Sequence, residues 1–252
     1  MDLSAFATRV LNVYTPGSGA SKLRTDSDGY VFYEDGDACY LVGYVGKSDE
    51  LSMPNDCNGR SYVVCNYALA YLSTVTSIKL PDGLITIMDY MFMENSSLVS
   101  VDIPDTVTTI GSSAFYYCVN LKSITIPDSV TRIGNHAFND CEKLESVIFG
   151  ADSQLLSFGE YAFYGCESLE SIVIPKGVTG INYRTFCCCD NLKSVTFAQG
   201  TQIKSIGDQA FVDCDSLTDV YFCGSNPTIK ISEDQNDSFK KATKHYYYVP
   251  EE

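Results

Sequence analysis

Apolar side chains recur along this chain in two alternating spacings. Short runs such as Leu121–Ile126 alternate apolar and polar positions, the pattern of a strand with one buried face. Between these runs, Ala-Phe-x-x-Cys-x-x-Leu stretches place apolar residues three apart, which suits a single helical or 3₁₀ turn. A proline often closes the strand run (Pro81, Pro104, Pro127, Pro175). Lacking an N–H, it ends the ladder there.

The alternation is itself periodic. Phe92, Phe115, Phe138, Phe163, Phe186 and Phe211 fall at intervals of 23, 23, 25, 23 and 25 residues, and Leu69 holds the same place 23 residues earlier. A small residue precedes most of them (Ala68, Ala114, Ala137, Ala162, Thr185, Ala210), with Met91 the exception. Three residues after the Phe come Cys118, Cys141, Cys166, Cys189 and Cys214; six after it come Leu98, Leu121, Leu144, Leu169, Leu192 and Leu217, with Val75 in the first copy. The 25-residue intervals carry their extra pairs in Gly150–Ser157 and Ala198–Ser205, which marks a tolerant loop at a repeat edge.

A unit of this length cannot bury its apolar face alone, so neighbouring units must stack. The expected architecture is a right-handed leucine-rich-repeat solenoid, with short parallel strands on one wall and helical or 3₁₀ turns and loops on the other. Burying each Phe, Leu or aliphatic side chain contributes roughly 1.5–3 kcal/mol, which offsets chain entropy only when several units cooperate. The organisation read from these patterns is a leader or linker over 1–29, an N-terminal β-hairpin and degenerate capping repeat over 30–66, about seven repeats over 67–223, and a C-terminal capping repeat over 224–252.

Read from Ile110 to Pro127, the unit Ile-Gly-x-x-Ala-Phe-x-x-Cys-x-x-Leu-x-Ser-Ile-x-Ile-Pro closely resembles the BspA-like, or Treponema-type, leucine-rich repeat. The resemblance covers roughly Ser61 to Phe222. It implies an arc-shaped solenoid of the kind found in surface proteins of host-associated bacteria, typically exported or wall-anchored, some of them adhesins. It therefore implies an extracellular or cell-surface location and an adhesin-like role.

Charge narrows the partners. With 32 acidic and 17 basic residues the formal net charge is −15, the wrong sign for nucleic acid or anionic membrane. No apolar run reaches the 18 or so residues of a membrane helix, and Met1–Val10 has no apolar stretch of the kind a signal peptide needs. The expectation is a monomer that binds a protein or a cell-surface glycan, with no membrane insertion. A cytosolic scaffold is a further reading, favoured by free thiols and by that missing stretch.

Eleven cysteines raise disulfide and metal chemistry. Stacked column residues have parallel Cβ vectors about 4.8 Å apart, beyond the roughly 3.8 Å that a disulfide prefers. The column thiols are therefore expected to be free and buried. A pair among Cys39, Cys57, Cys65 and Cys223 is left open, and Cys187-Cys188-Cys189 lacks a CxxC partner or a nearby His, so no metal is assigned. No GxSxG, HExxH or P-loop pattern is present, which predicts no enzyme and no cofactor. His136, read as matching Ser113, Tyr161 and Tyr183, is expected to be a solvated side chain.

The outward sheet face is where a binding surface would be written. One outward column reads Ser77, Ser100, Ser123, Ser146, Ser171, Ser194, Asp219; the small serine suits a crowded curved wall. The next varies: Lys79, Asp102, Thr125, Ile148, Val173, Thr196, Tyr221. Variation on a fixed frame makes this second column, with Asp219, the candidate binding face. The alternative is an aromatic patch of Tyr116, Tyr117, Tyr164 and Tyr183 that would stack on sugars, in a carbohydrate-binding module.

Overall fold

The computed structural model describes residues 23–224, 229–232 and 236–247. Most of the leader expected over 1–29, and parts of the C-terminal repeat expected over 224–252, lie outside the described residues.

Two sets of parallel strands wind into one solenoid. The front wall carries β4 (Glu50–Ser52), β6 (Ser77–Lys79), β8 (Ser100–Asp102), β10 (Ser123–Ile126), β12 (Ser146–Phe149), β14 (Ser171–Ile174), β16 (Ser194–Phe197), β18 (Asp219–Phe222) and β20 (Thr243–Tyr246). Two-residue strands form a second wall: β7 (Thr86–Ile87), β9 (Thr109–Ile110), β11 (Arg132–Ile133), β13 (Ser157–Phe158), β15 (Gly180–Ile181), β17 (Ser205–Ile206) and β19 (Lys230–Ile231). The stack extends beyond the Phe-spaced units at both ends, since β4 pairs in parallel with β6, and β20 with β18.

At the N-terminus β1 (Leu23–Thr25), β2 (Tyr30–Asp35), β3 (Ala38–Tyr44) and β5 (Val63–Val64) form a four-stranded sheet in the order β1-β2-β3-β5. Strands β2 and β3 are antiparallel across Gly36, whose φ is 61°. This cap is pinned by a Cys39–Cys57 disulfide and by Glu34, which accepts from Arg24 and Arg60 at 2.8 Å each.

The third wall departs from expectation. The Ala-Phe-x-x-Cys segments form successive tight turns instead of helical or 3₁₀ ones, because the residues two before and two after each Phe are left-handed. Around Phe138 these are His136 (φ 56°) and Asp140 (φ 56°); around Phe115, Ser113 (53°) and Tyr117 (60°). A left-handed residue cannot continue a right-handed helix, and it costs a non-glycine side chain about 1–2 kcal/mol. The conformation instead aims three N–H groups per coil at the next coil. His136, Phe138 and Asp140 donate to the carbonyls of Glu160, Ala162 and Tyr164 at 2.9, 2.8 and 2.8 Å. The coils on either side repeat the arrangement.

The same register stacks the Phe rings. Phe92, Phe115, Phe138, Phe163, Phe186 and Phe211 are fully buried, and successive centroids lie 5.0–5.4 Å apart. Phe239, in the one described helix, α1 (Asp237–Lys241), closes the column at 5.0 Å from Phe211. The 25-residue coils preserve the interior, their longer loops still sending Leu155 and Ile203 inward.

The cysteine column is a donor column as well as apolar filling. Cys118, Cys141, Cys166, Cys189 and Cys214 each donate S–H to the Phe carbonyl of an earlier coil, at 2.9–3.3 Å. Asn95 occupies the same position and does more. Its Nδ2 donates to the Leu69 carbonyl (2.8 Å) while its Oδ1 accepts from the Leu72 N–H (2.7 Å), and the side chain is fully buried. Asn236 plays a similar part at the far end, accepting from the Phe211 N–H and donating to the Gly207 carbonyl.

These roles separate in stability. Asn95→Ala strands the buried Leu69 carbonyl and the partly buried Leu72 N–H and is expected to destabilise by about 2–4 kcal/mol. Cys141→Ala is expected to cost only about 1–2 kcal/mol, since the Phe115 carbonyl still accepts from the Cys118 N–H. Urea unfolding of both variants checks the order, and equal losses would contradict it.

Candidate functional site

Strand register places the variable column on one surface. Lys79 lies opposite Asp102, Thr125 opposite Ile148, and Val173, Thr196, Tyr221 and His245 follow one another across β14, β16, β18 and β20. Lys79, Asp102, Thr125, Ile148 and Val173 are exposed, while Thr196, Asp219 and Tyr221 are half-buried. Ile148 and Val173 keep 51% and 49% of their surface in water, because strand alternation turns them outward from the buried Val147 and Ile172. The front ladder is interrupted between β8 and β10 and again between β12 and β14, so these two side chains flank a break.

The chemistry of the face changes along the stack. A shallow hollow at its N-terminal end is lined by Glu50, Ser52, Ser77, Lys79, Ser100 and Asp102. The centre is apolar. At the C-terminal end the Tyr221 and His245 rings stack at 4.5 Å, and His245 Nε2 meets Asp219 Oδ1 at 2.6 Å. His245 was not legible as part of the face, because its strand lacks the Ser-aliphatic pattern; its place follows only from pairing with β18.

The tyrosine patch divides into two groups of ring contacts. Tyr116 and Tyr117 contact each other at 6.0 Å, whereas Tyr164 and Tyr183 each contact Tyr161, at 5.8 and 5.2 Å. His136 is not simply solvated. It stacks on Tyr161 at 4.6 Å and its Nδ1 lies 2.8 Å from Asn139 Oδ1. The left-handed position it shares with Ser113 and Tyr161 is filled in the next coil by Arg184 rather than Tyr183. The Arg184 guanidinium lies over the Tyr183 ring.

Of the cysteines outside the column, Cys39 and Cys57 form the disulfide, and nine thiols are free. Burial pushes the thiols of Cys118, Cys141, Cys166 and Cys189 up, Cys118 to about 12, which keeps them protonated and unreactive. Cys188 is the one free thiol that is partly exposed. Alkylation of the folded chain is therefore expected to modify Cys188 first, and all nine thiols only after denaturation; mass spectrometry of labelled peptides checks it, and rapid native labelling of column cysteines would contradict the burial.

The Asp219 carboxyl is held below its ordinary range by its hydrogen bonds to His245 and then Thr218. Because the folded value is depressed, the linked stabilisation is present above the unfolded pKa of about 3.9 and is lost as pH falls through the folded value. His245→Ala, which removes the donor, is expected to move the Asp219 titration back up, as followed by carboxyl-carbon NMR. An unmoved titration would show that the pair does not form in solution.

Comparison with known proteins agrees with this architecture. The model of the BspA type leucine rich repeat region matches residues 63–155 and 149–243, in six copies. The leucine-rich-repeat protein TpLRR of Treponema pallidum is 25% identical, covering 77% of this chain and 90% of its own, with a TM-score of 0.68. A leucine-rich cell surface protein of Faecalibacterium prausnitzii is 16% identical over 90% of this chain and 98% of its own (TM-score 0.40). The pneumococcal vaccine antigen PcpA is 14% identical over 85% of this chain and 78% of its own (TM-score 0.46). No curated protein matches the chain. Matched over well more than half its length, with the Phe and Cys columns of the repeat stacked in register, the chain belongs to the BspA-type leucine-rich-repeat family.

Proposed function

We propose that this protein is a non-catalytic binding module that engages another protein through its front sheet face, in attachment at a cell surface. The observation that carries the reading is the exposed Ile148–Val173 pair at the centre of a regular, otherwise polar wall. Apolar side chains at the middle of a polar-rimmed patch are what a protein partner desolvates. Nine strands at about 4.8 Å spacing, each three or four residues long, give a face of roughly 500–600 Å². A standard partner covers about 800 Å² per side, so adjoining edge loops take part. The tyrosines favour a protein over a sugar as ligand, since their ring contacts fall into two groups with no shared platform.

Ile148→Asp combined with Val173→Asp tests the reading. Both side chains keep about half of their surface in water, so the variant should remain folded, which thermal unfolding checks. Affinity for a protein partner identified on an array of host proteins and glycans should fall at least tenfold, the equivalent of about 1.4 kcal/mol. Equal binding by both forms would show that the face is not the contact surface, and selective binding to glycans would favour the tyrosines.

A further inference from the structure

The left-handed position two residues after each Phe forms its own ladder of side chains, and over four consecutive coils it reads Asp140, Gly165, Cys188, Asp213. Cys188 (φ 59°) and Asp213 (φ 56°) adopt the same backbone conformation one coil apart, which brings the thiol Sγ within 3.9 Å of Asp213 Oδ2. Cys187 Sγ lies 3.3 Å from Cys188 Sγ. One ligand atom from each of the three residues falls within 4.8 Å of the others. The adjacent rung is Gly165, where even a Cβ would collide with Asp140 Oδ1, so the Asp140 carboxylate borders the same surface.

We propose that Cys187, Cys188 and Asp213 form a binding site for a thiophilic d¹⁰ divalent cation of the zinc–cadmium class. Two sulfur ligands select soft ions over magnesium or calcium, which prefer a shell of oxygens. At metal–sulfur distances of about 2.3 Å, tetrahedral geometry sets the two sulfurs about 3.8 Å apart. The pair therefore opens by roughly half an ångström through side-chain rotation. The Cys188–Asp213 separation is already close to that of two ligands on one ion. On coordination the two thiol protons leave to solvent and the ion takes their place. Three protein ligands leave a fourth position open to water or to a group carried by a partner.

Neighbouring cysteines do not share this geometry. The column thiols are fully buried and each donates to a carbonyl, as Cys189 does to Phe163. Arg184, the nearest cation in sequence, is turned to Gln209 Oε1 and the Tyr183 ring. No CxxC or His cue marks the site along the chain, because the third ligand arrives from the next coil, 25 residues after Cys188.

The test titrates cadmium chloride into the folded chain and follows the ultraviolet thiolate-to-metal charge-transfer band, with equilibrium dialysis for stoichiometry. One cadmium per chain is expected, displaceable by zinc and indifferent to excess magnesium. Cys187→Ser, and Cys188→Asn, which tolerates the left-handed backbone, should each weaken binding at least a hundredfold. Asp213→Asn should weaken it about tenfold. Cys166→Ser, in the buried column, should leave it unchanged, and thermal unfolding confirms that each variant is folded. Three results would overturn the proposal: no charge-transfer band on the folded chain, a band that survives Cys188→Asn, or peptide mass spectrometry showing Cys187 and Cys188 already joined as a disulfide.

Discussion

Each coil of this solenoid is bound to the next by backbone N–H groups released at left-handed positions on either side of a buried Phe. At Phe138 the donors are residues 136, 138 and 140, and their acceptors lie in the following coil. Two strained residues per coil are the consequence, five of them tyrosines (Tyr67, Tyr71, Tyr90, Tyr117, Tyr161). The strain persists because the left-handed residues from Tyr67 to Cys188 each gain an inter-coil bond and because the aligned coils bring their Phe rings into stacking distance. Hydrogen bonding and ring stacking share one register, so neither survives a slip of the other. Side chains then complete the backbone accounting. The column thiols and Asn95 reach back to carbonyls of earlier coils, and Asn236, beside Phe239, reaches back to the Gly207 carbonyl.

That rigidity makes the outer positions free to vary. With the interior fixed by Phe, Cys and Leu, the front face changes from charged at Lys79 and Asp102, through apolar at Ile148 and Val173, to aromatic at Tyr221 and His245, with no change in strand register. The left-handed ladder varies in the same way. There the variation brings Cys188 beside Asp213, a pairing between coils that has no counterpart along the chain.

Much of the architecture was legible in the sequence because stacking imposes equal spacing on residues that must touch. The Phe, Leu and small-residue columns, the outward face and the buried thiols all follow from that rule. What spacing alone did not show was backbone sign. Residues three apart suit a helical turn as well as a string of tight turns, and only the φ values at positions such as Ser113 and Asp140 distinguish them. Asn95 stands at the cysteine spacing without resembling cysteine, since the shared property is donation to a carbonyl rather than size or hydrophobicity. The Cys39–Cys57 bond could not be chosen from four candidates because it joins a hairpin to an irregular loop with no repeat to set a distance. His245 reaches the face through a strand whose sequence lacks the repeat pattern.

Native-state amide hydrogen exchange, resolved residue by residue, tests the inter-coil ladder most directly. The N–H groups of Ser113, Phe115, Tyr117, His136, Phe138 and Asp140 should exchange only through opening of the stack, with protection matching that of the buried front-strand amides. Exchange at those six positions as fast as in the exposed turn at Ala151–Asp152 would contradict the ladder, and with it the stacked interior on which the binding face rests.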